Sequence, residues 1–346
     1  MGEEKTEKTI ALAFRDYAGG QWDRCEVLPL SGSARQYYRV FYQGKSCIAV
    51  LHENIRENRL FIDFSKHFAS LGLPVPAIYY LSGDHRVYFQ EDLGDTTLLD
   101  VVERERGEGD LSPGLLTLYQ KALAELLRMQ LLGGEGLDYS GCLPRPVFDR
   151  TCVMWDLNYF KYCFSRLAAV EVDEQRLEAD FEHLAAVITA VPADAFMFRD
   201  FQSRNVMVKG SDLYFIDYQG GRRGALQYDV ASLLYDAIVA IPERQREELL
   251  AYYVTELGRY REVDAATFSR EYYHFVLIRL LQAMGAFGLR GLHEGKPHFI
   301  DSIVPGITAI LALMESGKLS EDYPEIKRTI QRAGLKFDRR KSKSEK

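Results

Sequence analysis

Three side chains in the stretch 196–217, FMFRDFQSRNVMVKGSDLYFID, have the types and spacing to do chemistry: Asp200, Asn205 and Asp217. The first two form an Asp-x4-Asn pattern directly after Arg199. Two strand-like runs follow, Val206–Val208 and Leu213–Ile216, on either side of the turn signal Lys209-Gly210-Ser211-Asp212. A hairpin made from them brings Asp217 back beside Asn205, so the three groups converge. Phosphoryl transfer requires such a set: one carboxylate to take a hydroxyl proton, and an amide with a second carboxylate to hold Mg2+ on ATP. The competing explanation, that Asp200 and Asp217 only cap turns, does not account for a second strand that ends in IDYQGG. The stretch therefore reads as a kinase catalytic loop followed by the metal-binding Asp.

Composition narrows the class further. The chain has 346 residues, long for one core, so two lobes are expected. It is 47% hydrophobic and 27% charged, as globular proteins are, and its formal charge of −7 lacks the basic balance of a sequence-independent nucleic-acid binder. The five cysteines, Cys25, Cys47, Cys142, Cys152 and Cys163, form no C-x-x-C pair, which suits reduced thiols and a cytoplasmic location. The charged start MGEEKTEK is no secretion signal, its Gly2/Thr6 match to a myristoylation pattern has no basic cluster beside it, and no apolar run suggests a membrane span.

The elements that must position the site follow from periodicity. Thr6–Tyr17 has helical spacing. Strands are expected at Glu26–Leu30, Tyr37–Tyr42 and Cys47–Leu51, a helix at Glu57–Ser70, and a strand pair at Ala77–Leu81 and Arg86–Gln90. This predicts an α+β lobe over residues 1–91. The small-residue loop Ser31-Gly32-Ser33-Ala34-Arg35 lies between its first strands, where N–H groups and hydroxyls can approach phosphates. Gly44-Lys45-Ser46 is not a Walker A end, because Arg39 stands where the first Gly belongs and the context is strand–turn–strand. Glu91-Asp92-Leu93-Gly94-Asp95 reads as the hinge, whose backbone at Glu91 and Leu93 can meet an adenine edge.

A mostly helical lobe is expected over 92–326, with helices at Leu115–Leu132, Val153–Ala169, Glu174–Val191, from Asp229, Pro242–Leu257, Ala266–Leu281 and Ile303–Met314. Gly285, Gly288 and Gly291 are expected to interrupt, and 327–346 to form a basic tail. Asp156 and Asn158 are expected in a solvated first turn, with a substrate-facing role as the alternative.

These residues resemble a known family. The loop SGSARQYYRV, the turn LGLPVP, the hinge QEDLGD, RDFQSRNVMV and IDYQGGRRGALQYDVASLLYD are similar to the aminoglycoside phosphotransferase-like kinases, and among them most similar to bacterial cell-wall sugar kinases that act on the anomeric hydroxyl of N-acetylmuramate and N-acetylglucosamine. The resemblance covers roughly 20–320 and implies the bilobal protein-kinase-like fold, a small antiparallel-sheet N-lobe and a mostly helical C-lobe. It implies Asp200 as catalytic base, Asn205 and Asp217 as Mg2+ ligands, and Ser31–Arg35 and Glu91–Leu93 as nucleotide contacts. Its cofactors would be ATP and Mg2+ and its partner a small sugar, with neither nucleic acid nor membrane; aminoglycoside or choline acceptors, or a nucleotide-binding regulator without catalysis, are the rival readings. Arg204 and Arg222, with their neighbours Arg199 and Arg223, are candidates for an anionic substrate, and Asp229 for a substrate contact or a brace of the catalytic loop. Two departures stand out. Phe198 precedes Arg199 where the family usually has His, and Cys47–Leu51 lacks the strand Lys that pairs with a helix Glu. Arg35 or Arg39 is expected to supply that charge, and Glu57 is left without a partner.

Overall fold

The computed structural model describes residues 3–29, 34–107 and 109–344. The first lobe runs α1 (Glu3–Ala18), β1 (Arg24–Val27), β2 (Gln36–Tyr42), β3 (Lys45–Leu51), α2 (Ile55–Ser70), β4 (Ile78–Leu81) and β5 (Val87–Glu91). Its strands form one antiparallel sheet in the order β1-β2-β3-β5-β4. Side chains alternate across this sheet, so each face has its own cover. Tyr38 and Val40, paired with Ala49 and Cys47, pack with Ile10 and Phe14 of α1. Ile48 and Val50, paired with Arg39 and Tyr37, pack with Phe61 and Phe64 of α2. By the same alternation Arg35, just before β2, falls on the α2 side. Helix α2 starts at an Asn54 cap that accepts the Glu57 N–H and ends before Gly72, whose φ of +65° suits a residue without Cβ.

Glu91 ends the sheet, and the chain becomes mostly helical: α3 (Leu98–Glu105), α4 (Pro113–Leu131), α5 (Arg150–Tyr159), α6 (Glu174–Ala190), then β6 (Ala195–Met197), β7 (Val206–Lys209), β8 (Asp212–Phe215) and β9 (Arg222–Gly224). It closes with α7 (Gln227–Leu234), α8 (Glu243–Leu257), α9 (Ala265–Phe287), α10 (Pro297–Asp301), α11 (Ile303–Glu315) and α12 (Pro324–Ser344). β7 and β8 are the expected hairpin, and β6 pairs with β9 so that Met197 faces Arg222. This is the two-lobed α+β, protein-kinase-like architecture expected from the sequence.

The structure differs from expectation in three places. The glycines after residue 284 do not stop a helix: α9 runs through Gly285 and continues as a π-helical segment, Gly288–His293. Their role is close packing, since a Cβ at Gly288 would lie 1.9 Å from the Cys163 carbonyl oxygen. Residues 327–337 are not a tail, because Ile330 and Ala333 of α12 are buried in the core. Two stretches, Ala265–His293 and Pro297–Glu315, do reach the length and hydropathy of a membrane span. In the first, 67% of the apolar window is buried within the lobe. The second is only 28% buried, and Pro305, Gly306 and Ala309 within it line the cavity described next.

Candidate active site

Asp200 lies in the loop after β6, on the lining of a cavity of about 210 Å3. The loop is shaped by backbone bonds. Asn205 Nδ2 donates to the Asp200 carbonyl at 2.8 Å, and the Ile216 N–H donates to the Asn205 carbonyl at 3.1 Å. The second bond carries the end of the β7–β8 hairpin back to the catalytic loop. Asp217 there has a left-handed φ of +69°, and burial raises its carboxyl above the ordinary value, opposed by a Gln219 N–H donor at 2.6 Å. The hairpin thus returns Asp217 to the loop that carries Asp200 and Asn205.

This donor set suits Mg2+. With its NH2 engaged by the Asp200 carbonyl, Asn205 keeps Oδ1 as an oxygen donor, and with the Asp217 carboxylate it offers an all-oxygen pair. Among the described residues no three His, Cys, Asp or Glu side chains form a metal cage. Mg2+ needs none, because it takes one or two carboxylates together with phosphate oxygens and water.

Arg35 resolves the missing lysine. Its side chain is buried, with Nη2 2.9 Å from Glu57 Oε2 and Nη1 3.3 Å from Asp217 Oδ1. The buried positions of β3 on this face are Ile48 and Val50, so the cation comes from the neighbouring strand instead. Glu57 therefore has a partner after all. Arg39 does not supply this charge, because its guanidinium is bound to Asp92 and Asp95 at the hinge. Ala34 sits beside Arg35, while Ser31, Gly32 and Ser33 lie outside the described residues. At the hinge, the Glu91 N–H is bonded to the Ala77 carbonyl and its carboxylate to Lys209. The Leu93 N–H makes no hydrogen bond among the described residues.

Several expected substrate contacts are corrected. Asp229 is fully buried and accepts the N–H groups of Phe198 at 2.7 Å and Arg199 at 2.9 Å, and the Gln130 amide at 3.2 Å. It braces the catalytic loop from beneath and is not on the lining of the cavity beside Asp200. Burial pushes its carboxyl up to about 7, against the pull of its three donors. Arg222 is buried too, with Nη2 donating to the carbonyls of Gly220 and Leu143. Arg199, at a φ of +83°, is held in a fork by Asp156 and lies 5.2 Å from the rings of both Phe148 and Tyr228. Asp156 is accordingly neither solvated nor substrate-facing. Phe198 fills the expected His position inside an aromatic cluster with Phe201, Phe215 and Tyr218. Of the candidate arginines only Arg204 lines the cavity.

The cavity also holds residues that periodicity did not single out, Arg246, Arg279 and Gln282. The signal for Arg279 was present, since it is a charged residue inside the apolar run FVLIRLLQAM.

A small sheet lobe, a helical lobe and this carboxylate–amide–carboxylate site at their junction define a phosphotransferase that acts on a hydroxyl. The chain belongs to the phosphotransferase enzyme family, whose model matches residues 26–263. It is similar to the N-acetylmuramate/N-acetylglucosamine kinases of Pseudomonas putida (24% identity, covering 84% of both chains) and Neisseria meningitidis (26% identity, covering 73% of this chain and 72% of that one). Among solved structures it shares its fold with a choline/ethanolamine kinase family protein from Mesorhizobium loti (TM-score 0.60, 15% identity, 96% of this chain and 99% of that one). The amicoumacin kinase hAmiN, in complex with AMP-PNP, Ca2+ and Ami, shares it too (TM-score 0.61, 12% identity, 94% and 97%).

The brace generates a test. Asp229→Asn keeps the shape but turns an N–H toward two N–H donors. It is expected to cost about 1–3 kcal/mol in urea unfolding, and to lower kcat more than it raises KM, because the loop backbone loses its anchor. Unchanged stability and kcat would show that the loop does not depend on this carboxylate.

Proposed function

We propose that this enzyme transfers the γ-phosphoryl group of ATP to the anomeric hydroxyl of an amino sugar of the N-acetylmuramate/N-acetylglucosamine type. The observation that carries the reading is that Asp200 shares the lining of one cavity with three arginines. The names of the relatives point to the same acceptors.

In this mechanism the acceptor hydroxyl lies against Asp200, which takes its proton as the oxygen attacks the γ-phosphorus; ADP leaves with the electrons of the broken P–O bond. An anomeric hydroxyl is more acidic than an ordinary alcohol, so a plain carboxylate suffices as base. Asn205 and Asp217 would hold Mg2+, which when bound neutralises charge on the transferring group. Arg35 reaches the nucleotide phosphates from the head of β2, while Glu57 holds its other arm. The Leu93 backbone meets the adenine edge.

Choline and aminoglycosides are cationic. A cavity lined by Arg204, Arg246 and Arg279 disfavours such guests through like-charge repulsion, which argues against the acceptor class named for several fold neighbours.

Two variants test the assignment. Asp200→Asn is expected to lower kcat by ~10^2- to 10^4-fold while nucleotide binding persists, followed by ADP release and calorimetry; unaltered turnover would remove Asp200 from the mechanism. Arg35→Met is expected to weaken ATP by about 10- to 100-fold and adenosine hardly at all. Equal effects on both ligands would show that Arg35 is structural only.

A further inference from the structure

The cavity beside Asp200 gathers three arginines on one lining. Arg35, Arg39 and Arg199 each face a carboxylate, Glu57, Asp92 and Asp156, whereas the buried Arg222 is met by backbone carbonyls. Arg204, Arg246 and Arg279 line one cavity, and among the described residues none of them has a carboxylate within ion-pair distance.

Arg279 is the most constrained of the three. It is only 7% exposed, its Nε donates to Ser232 Oγ at 2.9 Å, and its Nη1 donates to Gln282 Oε1. Both partners are neutral. They fix the guanidinium plane without an ion pair, and Asp236 on the same lining meets its charge only through space. Arg246 lies 4.3 Å over the Tyr235 ring, and its Nε is buried without a hydrogen-bond partner. Arg204 stands on the 3-10 turn Ser203–Asn205, directly after the catalytic Asp200 loop. The two carboxylates on the lining are already assigned. Asp200 faces the acceptor hydroxyl, and Asp236 accepts the N–H groups of Ser203 and Ile238. Burying a guanidinium without an ionic partner is costly unless a ligand completes it, and a carboxylate completes a planar guanidinium through two parallel hydrogen bonds.

The rest of the lining is complementary to an acylated sugar. Ala283, Ala286, Phe287, Phe299 and Pro305 supply an apolar wall. Gln202 Oε1, buried and without a partner, is an acceptor in want of an N–H or O–H donor.

Resting on the amino-sugar reading above, we propose that Arg279, with Arg246 on the same cavity, clamps a carboxylate carried by the acceptor. The enzyme then selects an acid-bearing amino sugar over its neutral counterpart. Arg279 acts here as a specificity-determining residue and Asp200 as the base. The clamp fixes the sugar at the end remote from the reacting hydroxyl, so its contribution falls mainly on KM.

The test begins on the substrate side and needs no variant. The full-length wild-type protein is assayed with N-acetylmuramate, its methyl ester and N-acetylglucosamine, with Mg·ATP and ADP release as readout. The clamp predicts kcat/KM for the acid at least ~10-fold above the ester, mainly through KM, since a lost buried charge pair is worth at least that much. It further predicts that Arg279→Gln shrinks the acid-to-ester ratio toward one, with Arg279→Lys intermediate because an ammonium keeps the charge and loses the fork. Equal efficiency with acid and ester in the wild type overturns the clamp and leaves the amino-sugar reading standing. A ratio that survives Arg279→Gln in a variant that melts like the wild type overturns the assignment to Arg279. Turnover of none of the three sugars overturns the acceptor class itself, and the clamp with it.

Discussion

Everything at this site depends on the carboxylate of Asp229. It is fully buried at the start of α7 and receives the N–H groups of Phe198 and Arg199. Those two residues immediately precede Asp200. A backbone with Arg199 at positive φ leaves its N–H groups without a ladder partner, and an unbonded buried N–H costs about 1–3 kcal/mol. Asp229 removes that penalty twice and so makes a strained turn the stable one. The brace is itself held, because Gln130 of α4 donates to Asp229 while its own Oε1 accepts the Tyr253 hydroxyl from α8. The position of the base therefore derives from helix packing of the whole second lobe. The Arg199–Asp156 fork adds a second fixed point from α5.

The first lobe is coupled to this frame through few, specific contacts. Arg35 joins Glu57 of α2 to Asp217. Behind it, Tyr218 stacks on Phe61 at 4.9 Å and shares a 2.7 Å hydrogen bond with Ser65. The Asp217–Tyr218 tract thus rests on α2 through the Arg35 bridge, the Ser65 hydrogen bond and the rings of Phe61 and Phe68. Arg35 stands just before β2, and because β2 and β3 are adjacent and in register its side chain reaches the α2 side of the sheet, where a lysine of β3 would otherwise stand, between Glu57 and Asp217.

Much of this was legible in the residues themselves. Asp200, Asn205 and Asp217 lie within one hairpin and its approach, so local turn chemistry was enough to bring them together. The lobe junction at Glu91 was visible for a similar reason, as a polar break between strand and helix periodicities. The illegible parts are long-range. Nothing near Asp156 announces a partner at Arg199, and nothing near Arg222 announces the Leu143 carbonyl; such pairs exist only once helices have packed. The arginines after Asp217 looked like a substrate patch because they are consecutive. Yet β9 pairs with β6, and that pairing turns Arg222 into the core and Arg223 out over the Tyr139 ring at 4.9 Å. Apart from Arg204, the cationic lining comes instead from α8 and α9, far along the chain. The glycines of α9 misled for the opposite reason: they read as breakers, while the fold uses their missing Cβ for helix contact.

If Asp200 directs the γ-phosphoryl group onto the anomeric oxygen of an amino sugar, phosphorus NMR of the product formed from Mg·ATP and N-acetylmuramate will show a sugar phosphate whose phosphorus couples to the anomeric proton, formed one-to-one with ADP. A phosphate on the 6-hydroxyl, or transfer to choline or an aminoglycoside with none to the sugar, would exclude that assignment.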